Sequence, residues 1–424
     1  MPRGRTRWSI LVFTALAACL GLAGCGGDDA SPSDAEPGRD GIKVGLLFPM
    51  SGPWVKGPAW RNAAVMAADE INRAGGILGR SVELVIADTE TVPDQAATGA
   101  QRLVEEGVVA IVGAAASSST VLTAQLVTVP EGMLLVSPAS TSPAITGLED
   151  DGLVWRTVAS DLFQGVVAAQ YAYEQGLRRA GIILVDNPYG NGLADAFSAE
   201  FSRLGGETVN RVAYPELSSE GIDGFDYGSR VATAFSGRPD LFYMITYDQD
   251  GAKITVAASG HITEDYRPQV LGCDGNQSQA FIDNSAPAVV EGMIGTLQAP
   301  PEDAPGYVAF ARAYAERFGA EPESFSESTY DAVYLIALAA ARAGSVEPRA
   351  IAAQMRAVSE GGEAVGPADY AAALQRLASG VDIDYRGAAG AVDFDEAGDM
   401  VSGAFRVWRV EGGRFVTLRT VSFP

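Results

Sequence analysis

Few side chains in this sequence can do covalent or metal chemistry, and their types narrow its function. There is one histidine, His261, and there are three cysteines, Cys19, Cys25 and Cys273. A zinc centre needs three or four clustered His, Cys or carboxylate ligands, so a His/Cys zinc site is nearly excluded. A Ser-His-Asp hydrolase would have to use His261, yet no Gly-x-Ser-x-Gly elbow occurs in the chain. The polar stretch 259–265 around His261 fits a surface histidine. No catalytic residue, metal or cofactor is expected. Binding chemistry remains. The run Ser117-Ser118-Ser119-Thr120 falls between an apolar segment and a helical one starting near Val121. Ser and Thr there satisfy the free amides of a helix start. The same amides, with the positive end of the helix dipole, also favour an anion.

The elements that must position these residues alternate. Residues 42–48 read as a buried strand ending at Pro49. Residues 58–73 follow as a helix, with Ala64, Ala67, Ala68 and Ile71 on one face at the 3.6 period. Strands are expected at 82–87, 108–112 and 133–136, with a helix at 95–106. After a helix near 163–175 the rhythm restarts: strands at 182–186, 208–214, 241–246 and 269–273, and a helix at 192–204. Late helices fall at 307–318, 329–343 and 350–358, and residues 405–409 and 414–418 form a hairpin through Gly412-Gly413. Strand–helix alternation with short connections predicts open parallel sheets. Two α/β units of similar plan, with a cleft between them as the default ligand site, account for the length of 424 residues. The formal charge of −23 argues against nucleic acid, whose backbone needs a basic counterface.

The N-terminus carries its own signal. Arg3, Arg5 and Arg7 precede an apolar run over 10–22, too short to span a bilayer comfortably but suited to a secretory leader. Leu22-Ala23-Gly24-Cys25 resembles the lipobox of bacterial lipoproteins, which implies cleavage before Cys25 and lipidation of that cysteine. Cleavage there removes 24 residues and three positive charges, leaving 400 residues at −26. Residues 25–41 then read as the lipidated cysteine and a flexible tether rich in Ser, Pro and Asp. Cys273 is left without a thiol partner.

From 42 to 418 the chain resembles the type I periplasmic-binding fold, in its branch of Leu/Ile/Val-binding (branched-chain amino acid) receptors of ABC importers. The resembling segments occur in family order. They are Met50-Ser51-Gly52-Pro53, Asp69-Glu70-Ile71-Asn72 with Gly75-Gly76-Ile77, Ser117 to Thr120, Ser137-Pro138-Ala139-Ser140-Thr141-Ser142-Pro143, Tyr189-Gly190, Tyr330-Asp331-Ala332 and Phe394-Asp395-Glu396-Ala397-Gly398-Asp399. The resemblance implies an α/β fold of two lobes, each a mainly parallel sheet flanked by helices, joined by a hinge of three crossovers. It assigns 42–158 and about 297–400 to an N-terminal lobe, and 159–296 and about 401–424 to a C-terminal lobe. It also implies site residues. Ser117 holds a ligand carboxylate, Ala139 offers its carbonyl to the ligand ammonium, Thr141 offers a hydroxyl on the same side as Ser117, and Ser140 lies between Ala139 and Thr141. Asp274, within Leu271-Gly272-Cys273-Asp274-Gly275, pairs with that ammonium, where the branched-chain receptors have the longer Glu. Tyr189, Tyr247 and Trp54 line the side-chain pocket. Each has a plainer reading: helix capping at Ser117, a Pro-bracketed rigid loop at 137–143, a turn aspartate at 274 and half-buried aromatics. The function implied is that of a monomeric, lipid-anchored solute-binding protein on the extracytoplasmic face of the cell membrane. It would deliver an amino acid to an ABC permease and catalyse nothing. A receptor or sensor of the same fold for amides, urea or aromatic acids is the alternative.

Overall fold

The computed structural model describes residues 41–423. The leader, Cys25 and nearly all of the tether lie outside the described residues. Among the described residues fourteen strands are present: β1 (Ile42–Phe48), β2 (Val82–Asp88), β3 (Ala110–Gly113), β4 (Leu135–Ser137), β5 (Val154–Arg156), β6 (Arg179–Asp186), β7 (Glu207–Pro215), β8 (Leu241–Ile245), β9 (Gln269–Gly272), β10 (Ile294–Gln298), β11 (Glu363–Val365), β12 (Ile383–Tyr385), β13 (Gly403–Glu411) and β14 (Arg414–Phe423).

They form two main sheets and a small two-stranded one. The first sheet has the order β2-β1-β3-β4-β5 and is parallel throughout. The second has the order β14-β13-β10-β9-β8-β6-β7, parallel from β10 to β7 and antiparallel where β13 and β14 add to its edge. Within it, β7-β6-β8-β9-β10 repeats the order of the first sheet. The expected mainly parallel α/β architecture is thus observed. The central strands are apolar runs because helices cover both faces: every residue of β3 and of β8 is buried.

Helices behave as amphipathic covers with one exception. The helix Ser326–Ala343 is buried from Ser326 through Ala340, so it lies inside the body, packed along the helix Gly57–Arg73. Its Asp331 accepts from the amides of Ala388 (2.9 Å) and Ala389 (2.7 Å) and from the Tyr385 hydroxyl (2.8 Å).

Several boundaries differ from the sequence expectation. The helix expected from near Val121 begins at Ser117, so the serine run is its first turn. The helix expected at 350–358 is a short helix, Pro348–Ala352, and a separate 3-10 turn, Arg356–Val358. The strands β5 and β10 and the helix Asp248–Ser259 are additional. The His261 ring is half-buried and stacks on Phe235 at 5.2 Å between centroids.

Candidate ligand-binding site

In each sheet the strand order reverses between two neighbours, β1 and β3 in the first, β6 and β8 in the second. Loops leaving such neighbours diverge, and a crevice opens at the carboxyl ends of the strands. The candidate residues sit there. Trp54 follows β1; Ala115, Ala116 and Ser117 follow β3; Ala139 follows β4. From the second sheet, Tyr189 follows β6, Tyr247 follows β8, and Asp274 and Gly275 follow β9. These nine residues line one cavity. Six of the eight candidates are therefore brought together, and Ser140 and Thr141 are not among the lining residues.

Local chemistry explains both outcomes. β3 ends at Gly113, whose φ of 140° and backbone approach (a Cβ would lie 2.4 Å from the Leu47 carbonyl oxygen) admit only glycine. The chain then turns into the helix Ser117–Thr123. The Ser137 hydroxyl donates to the Ala114 carbonyl (2.6 Å) and accepts from the Ser140 amide (3.0 Å). The Ser140 hydroxyl lies 3.0 Å from the Ala115 carbonyl and 2.7 Å from Thr120 Oγ1. Ser140 thus braces one cleft loop against the other. The Thr141 hydroxyl donates to Asp161 Oδ2 at 2.9 Å. Ser117 Oγ accepts from the Ser142 amide (3.2 Å), which leaves its proton for another acceptor. The indole Nε1 of Trp54 is buried without a protein partner.

On the opposite wall, Asp274 Oδ1 accepts from Gln164 Nε2 (2.9 Å) and from the Tyr189 hydroxyl (2.8 Å). The Gly275 amide donates to the same tyrosine oxygen at 3.2 Å. Burial holds the Asp274 carboxyl above the ordinary carboxylate range. Burial first, and the neighbouring Asp274 second, hold Asp161 well above it. The buried cation of this region, Arg156, is committed to Asp399 by a two-point pair at 2.5 and 2.6 Å. Tyr189 and Tyr247 stack at 5.6 Å, and Trp54 faces Tyr247 at 5.5 Å, so an aromatic wall crosses from one sheet's loops to the other's.

The cleft is closed. Ser118 Oγ donates to Glu216 Oε1 at 2.8 Å, Ser142 Oγ to the Pro188 carbonyl at 2.7 Å, and Gln249 Nε2 to the Gly52 carbonyl at 3.1 Å. Asn187 supports this latch, donating to Glu216 Oε1 (2.8 Å) and to the Tyr247 hydroxyl (3.2 Å). The cavity between the two walls measures about 10 Å³, room for roughly one water.

Residues that sequence reasoning did not single out are Ala115, Ala116 and Gly275 in the lining, and Asp161, Gln164, Asn187 and Glu216 behind or beside it. A signal existed for two of them. Ser160 caps the helix Asp161–Glu174, and Ser-Asp before an apolar run marks a helix start. That places Asp161 and Gln164 one turn apart on one face.

Comparison with known proteins gives the family. The sequence matches the family described as periplasmic binding protein over residues 41–414. It is 32% identical over 374 residues to the chemotactic signal transduction system substrate-binding protein BasB of Halobacterium salinarum, covering 85% of each chain. It is 30% identical to the Leu/Ile/Val-binding protein BraC3 of Rhizobium johnstonii, covering 88% of this chain and 93% of that one. Among solved structures, a leucine-binding protein from Thermotoga maritima superposes with a TM-score of 0.74 at 26% identity, covering 90% of this chain and 98% of the other. A solute-binding protein from R. palustris, solved with benzoate, shares the fold at a TM-score of 0.71 and 19% identity, over 90% and 96% of the two chains. The chain belongs to the periplasmic binding protein family. Like these relatives it is a substrate-binding protein, not an enzyme.

Proposed function

We propose that this chain is a lipid-anchored extracytoplasmic receptor that captures an α-amino acid, branched-chain or related, and delivers it to an ABC permease. The observation that carries the reading is one cavity lined by donors on one wall and a carboxylate on the other. The free Ser117 hydroxyl proton, the Trp54 indole N–H and the first-turn amides of the helix Ser117–Thr123 suit a carboxylate. Asp274 and the Ala139 carbonyl suit an ammonium, and a charge-assisted bond in a dry cleft is roughly twice as strong as a neutral one. The aromatic wall suits an apolar side chain. Ser140 and Thr141 serve by fixing the loop that carries Ala139. The two sheets act as the lobes, 42–158 with about 297–400 and 159–296 with about 401–424. They part to admit the ligand and close on it as a monomer, tethered through Cys25.

The relatives named Leu/Ile/Val-binding and leucine-binding favour an amino acid. The chemotactic relative favours a second reading, in which the same capture reports to a signalling partner instead of a permease. Ligand-induced thermal shifts decide the ligand class. A ligand at about 100 times its dissociation constant stabilises by about 2.7 kcal/mol. An α-amino acid that shifts the wild type but not Asp274→Asn supports the reading. A shift by an amide or aromatic acid alone, with none from any amino acid, overturns the ligand assignment and keeps the receptor.

A further inference from the structure

Among the described residues two cationic side chains are buried, Arg156 and Lys56. Arg156 is spent on Asp399. Lys56 stands at the start of the helix Gly57–Arg73, two residues after Trp54, and its side chain is 1% exposed. Taking an ammonium out of water is costly unless the charges and acceptors around it compensate. Its Nζ donates to Glu323 Oε2 at 3.1 Å and to the Gln277 carbonyl at 3.3 Å. Glu323 is half exposed, so that pair is screened and compensates only in part. A second acid, Asp248, is buried and feels the Lys56 charge. Burial raises the Asp248 carboxyl above its ordinary value, and Lys56, ahead of a bond from Ser278, works against that rise.

The neighbours of Lys56 come from both sheets. Glu323 leads into the helix Ser326–Ala343, which packs along the helix Gly57–Arg73, so it belongs with Lys56 on the side of the first sheet. Gln277 and Asp248 belong to the second. Gln277 lies three residues after Asp274, beyond β9, and Asp248 follows Tyr247, beyond β8. Trp54, Tyr247 and Asp274 all line the cavity. The three chain segments that carry them therefore meet at one ammonium. Parting the two sheets would take Gln277 and Asp248 away and leave Lys56 with Glu323 and water.

We propose that Lys56 is a positioning residue for ligand capture, a cation held ready on the first lobe that closure buries against the Gln277 carbonyl and Asp248 of the second. It touches no ligand. Without it, closure would bury an acid with no countercharge and a carbonyl with no donor, and the closed arrangement would lose population. That loss applies to every ligand by the same factor, because it falls on the protein's own equilibrium. Lys56 has this role only if the two sheets are the lobes proposed above, whichever ligand they close on.

From residue 41 onward the chain is one compact unit, and the test uses it. Spin labels go on Glu90→Cys and Glu220→Cys, exposed positions beyond the carboxyl ends of β2 and β7, while Cys273 is buried. Their separation reads the cleft with and without L-leucine, and calorimetry reads affinity for L-leucine and L-valine. Wild type should show a short, closed separation. Lys56→Met should need about ten to a hundred times more leucine to reach it, and affinity for both amino acids should fall by one factor. In an Asp248→Asn background the fall from Lys56→Met should be smaller, since the acid that Lys56 balances is gone. A merely structural lysine would lower the melting midpoint and leave the separation and that coupling unmoved. If Lys56→Met does not fold, Lys56→Gln is read in the same way. If neither amino acid binds wild type, the ligand assignment fails and the unliganded separation decides alone. No closed separation in wild type under any condition, unchanged closure in the Lys56 variant, unequal falls for the two ligands, or full additivity with Asp248→Asn overturns the proposal.

Discussion

Asp274 accepts from two donors, Gln164 and Tyr189, and pairs with no cationic side chain among the described residues, so under the proposed function a ligand ammonium would supply the countercharge. Asp274→Asn keeps the shape and removes the charge. We expect a loss of amino-acid affinity of about ten- to a hundred-fold, with the melting midpoint of the unliganded protein not lowered, read by calorimetric titration and thermal melts. Gly275 is a steric test of the same corner. A Cβ there would lie 2.5 Å from the Thr246 carbonyl oxygen and 2.9 Å from the Tyr189 oxygen. Backbone at one side cannot yield, so Tyr189 must. Gly275→Ala should cost about 1–3 kcal/mol of stability and displace Tyr189 from Asp274. A variant of unchanged stability and affinity would show that the loop moves freely.

At the scale of elements, the late segment before β13 is tied to β5 by one buried ion pair, Arg156–Asp399, reinforced by Thr146 Oγ1, which donates to Asp399 Oδ2 at 2.6 Å. Breaking a buried pair by removing one partner leaves an uncompensated charge, at about 3–5 kcal/mol. Asp399→Asn should therefore lower the denaturant midpoint strongly, while Glu396→Gln, three residues earlier and exposed, should not. Chemistry of this kind was hard to see beforehand. The segment 394–399 was noticed as a motif, but its partner is 243 residues away. The elements themselves were legible where apolar periodicity was long, as in β1 and the helix Gly57–Arg73. They were illegible where the pattern was short or diluted. β5 has three residues, too few for a period. The helix Asp248–Ser259 starts Asp-Gln-Asp-Gly and reads as a loop, because its buried acids answer to partners such as Tyr214, which donates to Asp250 at 2.6 Å. The cleft residues were legible through the family resemblance; the alternation by itself locates only the strand ends at which they sit. Glu216 and Asn187 act through side-chain bonds across the fold, and spacing carries no trace of those.

For the molecule as a whole, burial raises several carboxyls together. Asp250 is pushed up to about 6, and Glu327 and Asp331 to about 7. An unfolded carboxylate titrates near 4. The folded state therefore binds more protons in this window, and stability falls as pH rises. The contribution is fully present below about pH 4 and is lost as pH passes through 6 to 7. Self-repulsion of a chain at −23 acts in the same direction. Melting midpoints should decline from pH 5 to pH 8, and Asp331→Asn should flatten the decline. A midpoint that rises over this range would show that these acids are not buried in solution.

The closed cleft leaves space for about one water between its walls, and this sets a rule for traffic. Nothing the size of an amino acid can slip in or out past Trp54, Tyr189 and Tyr247 while Ser118 holds Glu216. Entry must wait for the whole latch to part, so under the proposed function the capture rate has a ceiling equal to the opening rate, whatever the cargo. Tight and weak cargoes would differ in how often the cleft recloses on them, and the protein would behave as a timed lock whose key is whatever surface pulls the two rims apart.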